Sequence, residues 1–191
     1  MIGLNWWNAL ELQWKNAFSM TVFQQPEVPA IADIEQFYTA TALRLAGPRA
    51  PYPNMSFELT NLSGIAQLDQ LEILVITHHQ IKTITALQSL KRLKALFLFN
   101  NQIESLAGIE QLANLEQLYV QYNHIHSLEP LKQLIRLKEL YVHNNAITTL
   151  SGLTEAHADE LTQFFCTPNA NLKQKELLDV EHRLGIRCRS V

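Results

Sequence analysis

The sequence predicts an α/β solenoid: a curved parallel sheet on the concave side, 3-10 or irregular return segments on the convex side, and a helical cap at each end. Three observations lead there. Asn101, Asn123 and Asn145 recur at intervals of 22 residues, and a fixed internal period is the mark of stacked units. Around each asparagine the pattern L-x-x-L-x-L-x-x-N-x-I-x-x-L holds. At 191 residues and 47% hydrophobic content, the chain has enough apolar surface for one continuous core.

Four full units are visible. They read Leu71, Leu74, Ile76, His79, Ile81, Ile84; then Leu93, Leu96, Leu98, Asn101, Ile103, Leu106; then Leu115, Leu118, Val120, Asn123, Ile125, Leu128; then Leu137, Leu140, Val142, Asn145, Ile147, Leu150. The Leu-x-Leu core alternates with the period of a strand that has one buried face. Apolar residues three apart, such as Ile103, Leu106, Ile109 and Leu112, suit a tight 3-10-like return. The asparagine between them lets a buried carboxamide satisfy backbone groups where the chain leaves the strand. Because one coil cannot bury its own apolar edge, several must stack.

Open solenoid ends expose apolar surface and unpaired strand groups, so caps are expected. At the front, Trp7, Leu10, Trp14, Ala17 and Phe18 fall at helical spacing. Ile31, Ile34 and Phe37 suggest a second short helix after Pro26 and Pro29. Within "TALRLAG", Leu43 and Leu45 mimic Leu74 and Ile76, and the longer interval places a proline-rich loop at "GPRAPYPNM". At the back, Leu161, Phe164, Cys166 and Asn169 form a fifth unit that arrives two residues late. Leu172 to Leu184 reads as a capping helix, and "IRCR" as a short last strand with Ile186 and Cys188 following Phe164 and Cys166. On that register the two cysteines are neighbours on the buried side; packed thiols are the favoured state, with a disulfide between them as the alternative. The organisation is a helical cap over 1-40, a solenoid over 41-170, and a cap helix with a short edge strand over 171-191.

"LKELYVHNNAITTLSGL", Leu137 to Leu153, is similar to the consensus of the leucine-rich repeats. It resembles the 22-residue subclass found in internalins and in the leucine-rich regulatory subunit of type-1 protein phosphatase. The resemblance covers about two-thirds of the chain. It implies a right-handed solenoid with its parallel sheet on the concave face.

With this register, residues flanking the buried pair turn outward. One row reads Arg44, Val75, Phe97, Tyr119, Tyr141, Phe165, Arg187. The next reads Ala46, Thr77, Phe99, Gln121, His143, Thr167, Arg189. A third carries Ile73, Ala95, Gln117, Glu139 and Gln163. Repetition thus lines up aromatic rings on adjacent strands ~4.8 Å apart. Contiguous exposed apolar area marks interaction sites, and aromatic and arginine side chains dominate interface energies. The expected function is a non-enzymatic module that binds a protein or peptide on this surface, through Phe97, Phe99, Tyr119, Gln121, Glu139, Tyr141, His143, Phe165 and Arg187. Cross-strand stacking with a purely structural role is the competing explanation. A regulatory subunit of a phosphatase-like enzyme and a self-associating solenoid are the alternatives. Trp6 and Trp7, read as exposed, are assigned either to self-association or to cap packing.

Other chemistries find little support. With 15 basic and 18 acidic residues, a formal net charge of -3, nucleic acid and anionic membranes are not expected partners. His78 with His79, and His124 with His126, lack the converging ligands a zinc site needs, so no metal or cofactor is expected. No serine or cysteine nucleophile sits beside His143, and the 6 glycines do not cluster into a phosphate loop. The first residues show neither a basic leader nor an unbroken apolar span, and two cysteines are too few for a stapled secreted scaffold. A cytoplasmic location is the resulting expectation, and the sequons at Asn54 and Asn61 matter only in a secreted chain.

Overall fold

The structure is a computed structural model that describes residues 2–25 and 27–190. Of the two prolines placed before the second helix, Pro26 lies outside the described residues. The repeated Leu-x-Leu segments form one parallel sheet of seven strands in chain order. They are β1 (Ala42–Ala46), β2 (Ile73–Thr77), β3 (Ala95–Phe97), β4 (Gln117–Tyr119), β5 (Glu139–Tyr141), β6 (Gln163–Thr167) and β7 (Arg189–Ser190). Leu74, Leu96, Leu118, Leu140 and Phe164 stand opposite one another along the sheet. Leu43 pairs with Leu74 across the longer first interval, as its spacing implies. Return segments carry short 3-10 turns, among them Thr85–Ser89 and Glu129–Leu131, whose Leu87 and Leu131 are fully buried.

The asparagine column explains why the units stack in a single register. Asn123 accepts from the Ile103 amide at 2.9 Å and donates to the Leu98 and Val120 carbonyls, both at 3.0 Å. Asn101 and Asn145 repeat that arrangement, and Asn169 keeps the two carbonyl contacts while accepting from the Asn145 amide. Each side chain therefore joins the preceding coil to its own strand, and a slip of one residue would leave three buried backbone groups unpaired. In the first of these slots His79 does the same work: Nδ1 accepts from Leu59 N at 3.1 Å, and Nε2 lies 3.3 Å from the Leu45 carbonyl. Only the neutral ring, protonated at Nε2, serves both contacts. The preceding residues, His78, Asn100, Tyr122 and Asn144, all take the left-handed conformation, with φ between 53 and 60°. Gly47 occupies the equivalent position below His78, where a Cβ would come within 1.8 Å of the His78 carbonyl oxygen, so the close approach of the first two coils demands glycine.

The front cap differs from its expectation in two respects. The helical pattern breaks at Leu10 and Glu11 into α1 (Ile2–Ala9) and α2 (Leu12–Phe18), and α3 (Ile31–Phe37) follows. Trp6 and Trp7, read as exposed, are buried at 3% and 4%. Trp6 sits among Phe18, Phe37 and Tyr38 with its indole N–H on the Gly64 carbonyl, so cap packing is its role. Trp14 is fully buried on Gly64, and its N–H meets Asn61 Oδ1 at 3.2 Å.

At the back, α4 (Gln174–Leu184) covers the last coil with Val180 and Leu184. Cys166 and Cys188 are joined in a disulfide rather than packed as free thiols. The last strand also begins later than expected. Arg189, and not Arg187, stands opposite Phe165, because Gly185 turns the chain out of α4 with φ at 68° and the strand forms only after the bridge.

Candidate functional site

The outward row follows directly from the pairing register: Arg44, Val75, Phe97, Tyr119, Tyr141, Phe165 and Arg189 on successive strands. Its four aromatic residues form a continuous row, in which Tyr119, Tyr141 and Phe165 are stacked and Phe97 is tilted by 40° against Tyr119. Ring centroids are 4.7 Å apart from Phe97 to Tyr119, 4.1 Å from Tyr119 to Tyr141 and 4.5 Å from Tyr141 to Phe165. Strand spacing of about 4.8 Å sets these separations, so the stack is a consequence of the repeat. All four rings are half-buried, with part of each face given to its neighbour and the remaining edge to solvent.

The row on the N-terminal side of the rings holds their polar atoms. Glu139 accepts from Tyr119 Oη and, at 3.0 Å, from Gln117 Nε2. The Tyr141 hydroxyl donates to Gln163 Oε1 at 3.0 Å. Burial, reinforced by the Glu139 bond, raises the Tyr119 phenol above its ordinary value, which keeps it protonated as a donor. Glu139 thus has a neutral donor on each oxygen.

Phe97, Phe99, Tyr119, Gln121, Glu139, Tyr141 and Phe165 all lie half-buried on this face, as their spacing implies. His143 departs from its expected role as an exposed polar contact. It is only 4% exposed, edge-on to Tyr122 and next to Tyr141, and burial lowers its pKa. Gln121 Oε1 and His143 Nδ1 are buried and lack a hydrogen-bond partner. Arg187 leaves the row altogether and pairs with Glu181 of α4 at 2.7 Å. The arginine that ends the row is Arg189.

Sequence spacing gave no functional weight to the loop of residues 47–58. Asn54 fixes it against the outer edge of β1: its Oδ1 accepts from Ala46 N at 2.7 Å and its Nδ2 donates to the Arg44 carbonyl at 2.8 Å. The side chain stands in for the neighbouring strand that β1 lacks. Met55 is buried beneath, Arg49 pairs with Glu58, and Arg44 reaches the Tyr52 carbonyl at 2.6 Å. The carboxamides of both sequon residues are engaged, Asn61 by Trp14, Ser63 and Glu11. Among the described residues no cluster of three or more potential metal ligands occurs.

Comparison with known proteins agrees with this architecture. Residues 91–133 and 113–155 each match the family described as Leucine Rich repeats (2 copies). Among curated proteins, none matches the chain in sequence. An internalin from Listeria monocytogenes superimposes with a TM-score of 0.65 at 21% identity, covering 85% of this chain and 46% of the internalin. A leucine-rich repeat protein of Leptospira interrogans gives 0.65 at 24% identity, over 87% of this chain and 40% of that one. The leucine-rich repeat ectodomain of a receptor kinase from Arabidopsis thaliana gives 0.53 at 24% identity, over 67% and 69%. The chain spans less than half the length of the first two proteins.

Proposed function

The chain is a leucine-rich repeat protein whose fold resembles that of internalins, and on that premise we propose that it is a non-enzymatic module whose concave aromatic face binds a protein or peptide partner. One observation carries the reading: Phe97, Tyr119, Tyr141 and Phe165 form a continuous row of touching rings, the last three stacked, that stays partly exposed on the sheet. Rigid aromatic area costs little entropy to dock against, and such residues dominate interface energies. Glu139 supports the same reading, because its internal partners leave the face without a free carboxylate in its middle. Nucleic acid and membrane are not proposed as partners.

Among the described residues no helix is long and apolar enough to cross a membrane. The cytoplasmic expectation rests on the character of the first residues; the Cys166–Cys188 bridge weighs against it, since such bonds persist in oxidising compartments.

Affinity capture with the wild-type chain and with the Phe97→Ala, Tyr119→Ala, Tyr141→Ala triple variant tests the proposal, with thermal melts of both as the folding control. Proteins retained by the wild type should be lost from a folded variant. Identical captures would assign the stack to sheet stability alone.

A further inference from the structure

We propose that the hollow between the 47–58 loop and the ends of β2 and β3 is the specificity pocket of the concave face, taking an apolar side chain that lies beside a carboxylate in an exposed segment of a partner protein. The proposal rests on the concave-face reading above and adds to it the place and chemistry of recognition.

The hollow has a volume of about 350 Å³, with Pro51 and Tyr52 on the loop side and Val75, Thr77 and Phe99 on the sheet side. That volume is at the lower end of the ~300–1,000 Å³ typical of small-molecule pockets. It suits one large side chain better than a cofactor. The walls hold their positions because Asn54 bonds the loop to two backbone groups on the outer edge of β1 and Met55 is buried beneath it. Tyr52, 82% exposed, and Ile73, 44% exposed, leave apolar surface uncovered on this half of the face.

Charge identifies the occupant. Arg44 lines the hollow, gives one N–H to the Tyr52 carbonyl, and makes no ion pair among the described residues. A guanidinium presents five donors in a planar fork that matches a carboxylate, so most of its donors remain for a ligand. Arg189 ends the same row, likewise without an ion pair among the described residues. Between them, the Glu139 carboxylate keeps its charge, since its donors Gln117 and Tyr119 are neutral. Two unpaired guanidiniums outweigh that one carboxylate, so the face is net positive and a complementary partner is acidic. His78 also lines the hollow, and its Nδ1 has no partner. Burial, helped by the nearby Arg49, lowers its pKa and favours a neutral ring beside the apolar wall.

The stacked half of the face offers less. Tyr119 and Tyr141 cover each other at 4.1 Å and have their hydroxyls engaged. They present a flat platform, whereas the hollow presents depth and a charge.

Random dodecapeptides displayed on phage, selected against the immobilised whole chain, provide the probe. The selected peptides are then synthesised with blocked ends and titrated against wild type, Arg44→Glu, Tyr52→Ala and Tyr141→Ala. Selected sequences should share an aromatic or branched apolar residue next to Asp or Glu. Arg44→Glu should weaken binding about tenfold or more, as expected for reversal of a contacting charge. Tyr52→Ala should weaken it several-fold, because it removes one wall at an exposed position. Matched thermal melts establish that each variant is folded. The pocket is overturned if no peptide is selected, if the selected sequences lack acidic residues, or if neither Arg44→Glu nor Tyr52→Ala changes affinity. Sensitivity to Tyr141→Ala without sensitivity at Arg44 and Tyr52 would remove the pocket and keep the concave site. Insensitivity at all three positions would remove both.

Discussion

The two ends of the solenoid meet the same need with different means. At the front, three helices bring Trp6, Trp7, Trp14 and Phe18 onto the first coil, all buried, and the Trp6 and Trp14 N–H groups find carbonyl oxygens on the turn they cover. At the back, one amphipathic helix contributes Val180 and Leu184, and a disulfide ties the last strand region to β6. Aromatic area stabilises by removal from water. A crosslink acts on the unfolded chain by limiting the conformations it can reach. One end is thus held by what the folded state gains, the other in part by what the unfolded state loses.

The largest effect should come from removing the front cap's central ring. Trp14→Ala should cost about 3–5 kcal/mol, the range for large aromatic deletions in a core. Trp14 is fully buried and its ring rests directly on Gly64, so little backbone is free to collapse into the space. Denaturant unfolding measures the loss, and amide exchange should show it first in α1, α2 and the turn at Ser63–Ile65. A loss below about 1 kcal/mol would mean that the cap folds apart from the coil it covers.

At the other end Cys188→Ser should cost roughly 3 kcal/mol, the closure entropy of a loop of this length, given a separation of 22 residues between the cysteines. Exchange protection should fall in β6 and α4 and stay unchanged at α1 to α3. Should protection fall uniformly along the chain, the solenoid unfolds as one cooperative unit and the contrast between its ends is only one of packing.

Acid should weaken the front half through His79 and the back half through His157. Burial moves its pKa from 6.5 to about 4. A histidine with a depressed folded pKa binds its proton more readily when unfolded, so its stabilising effect is complete above pH 6.5 and is lost as pH falls toward 4. The loss should be about 2 kcal/mol by pH 5. His157, buried behind Thr154 and the Leu131 carbonyl, shifts in the same direction and adds to it. His79→Asn installs the residue used at positions 101, 123 and 145 and should flatten the pH dependence of unfolding. An unchanged slope would show that His79 titrates normally.

The stacked coils were readable from sequence because their periodicity is a physical requirement: leucines must recur on one face, and the asparagine carboxamide must recur where the strand ends. Positions 97, 119, 141 and 165 followed without further information. The ends resisted the same reasoning, since a cap obeys no period. Spacing alone does not show that Trp6 turns inward to the Gly64 carbonyl, or that Gly185 delays the last strand and exchanges Arg187 for Arg189. His143 illustrates a subtler limit. Its position follows from the repeat, yet its exposure depends on Tyr122 and Tyr141 standing beside it, a tertiary fact with no local signature. The 47–58 loop was visible through its prolines, while its role as the missing neighbour of β1 depends on the Asn54 side chain together with the Asn54 and Met55 amides on the Ala46 carbonyl.

The smallest expected effect sharpens the contrast from the outside of the back cap. Leu178 lies on α4 and is 59% exposed, while Val180 and Leu184 on the same helix are buried. If α4 covers the coil only through its inner face, Leu178→Lys should change unfolding free energy by no more than about 0.5 kcal/mol, as exposed substitutions do. Lysine keeps a good helix propensity, so neither packing nor backbone preference opposes the change. The paired measurement is Val180→Ala, which deletes two buried methyl groups from the cap and should cost about 1–2 kcal/mol. Equal losses at the two positions would mean that the outer face of α4 also packs against something, as in a self-associated chain. Sedimentation of the wild type and of Leu178→Lys would then differ, whereas a back cap with one buried face leaves both at the same mass.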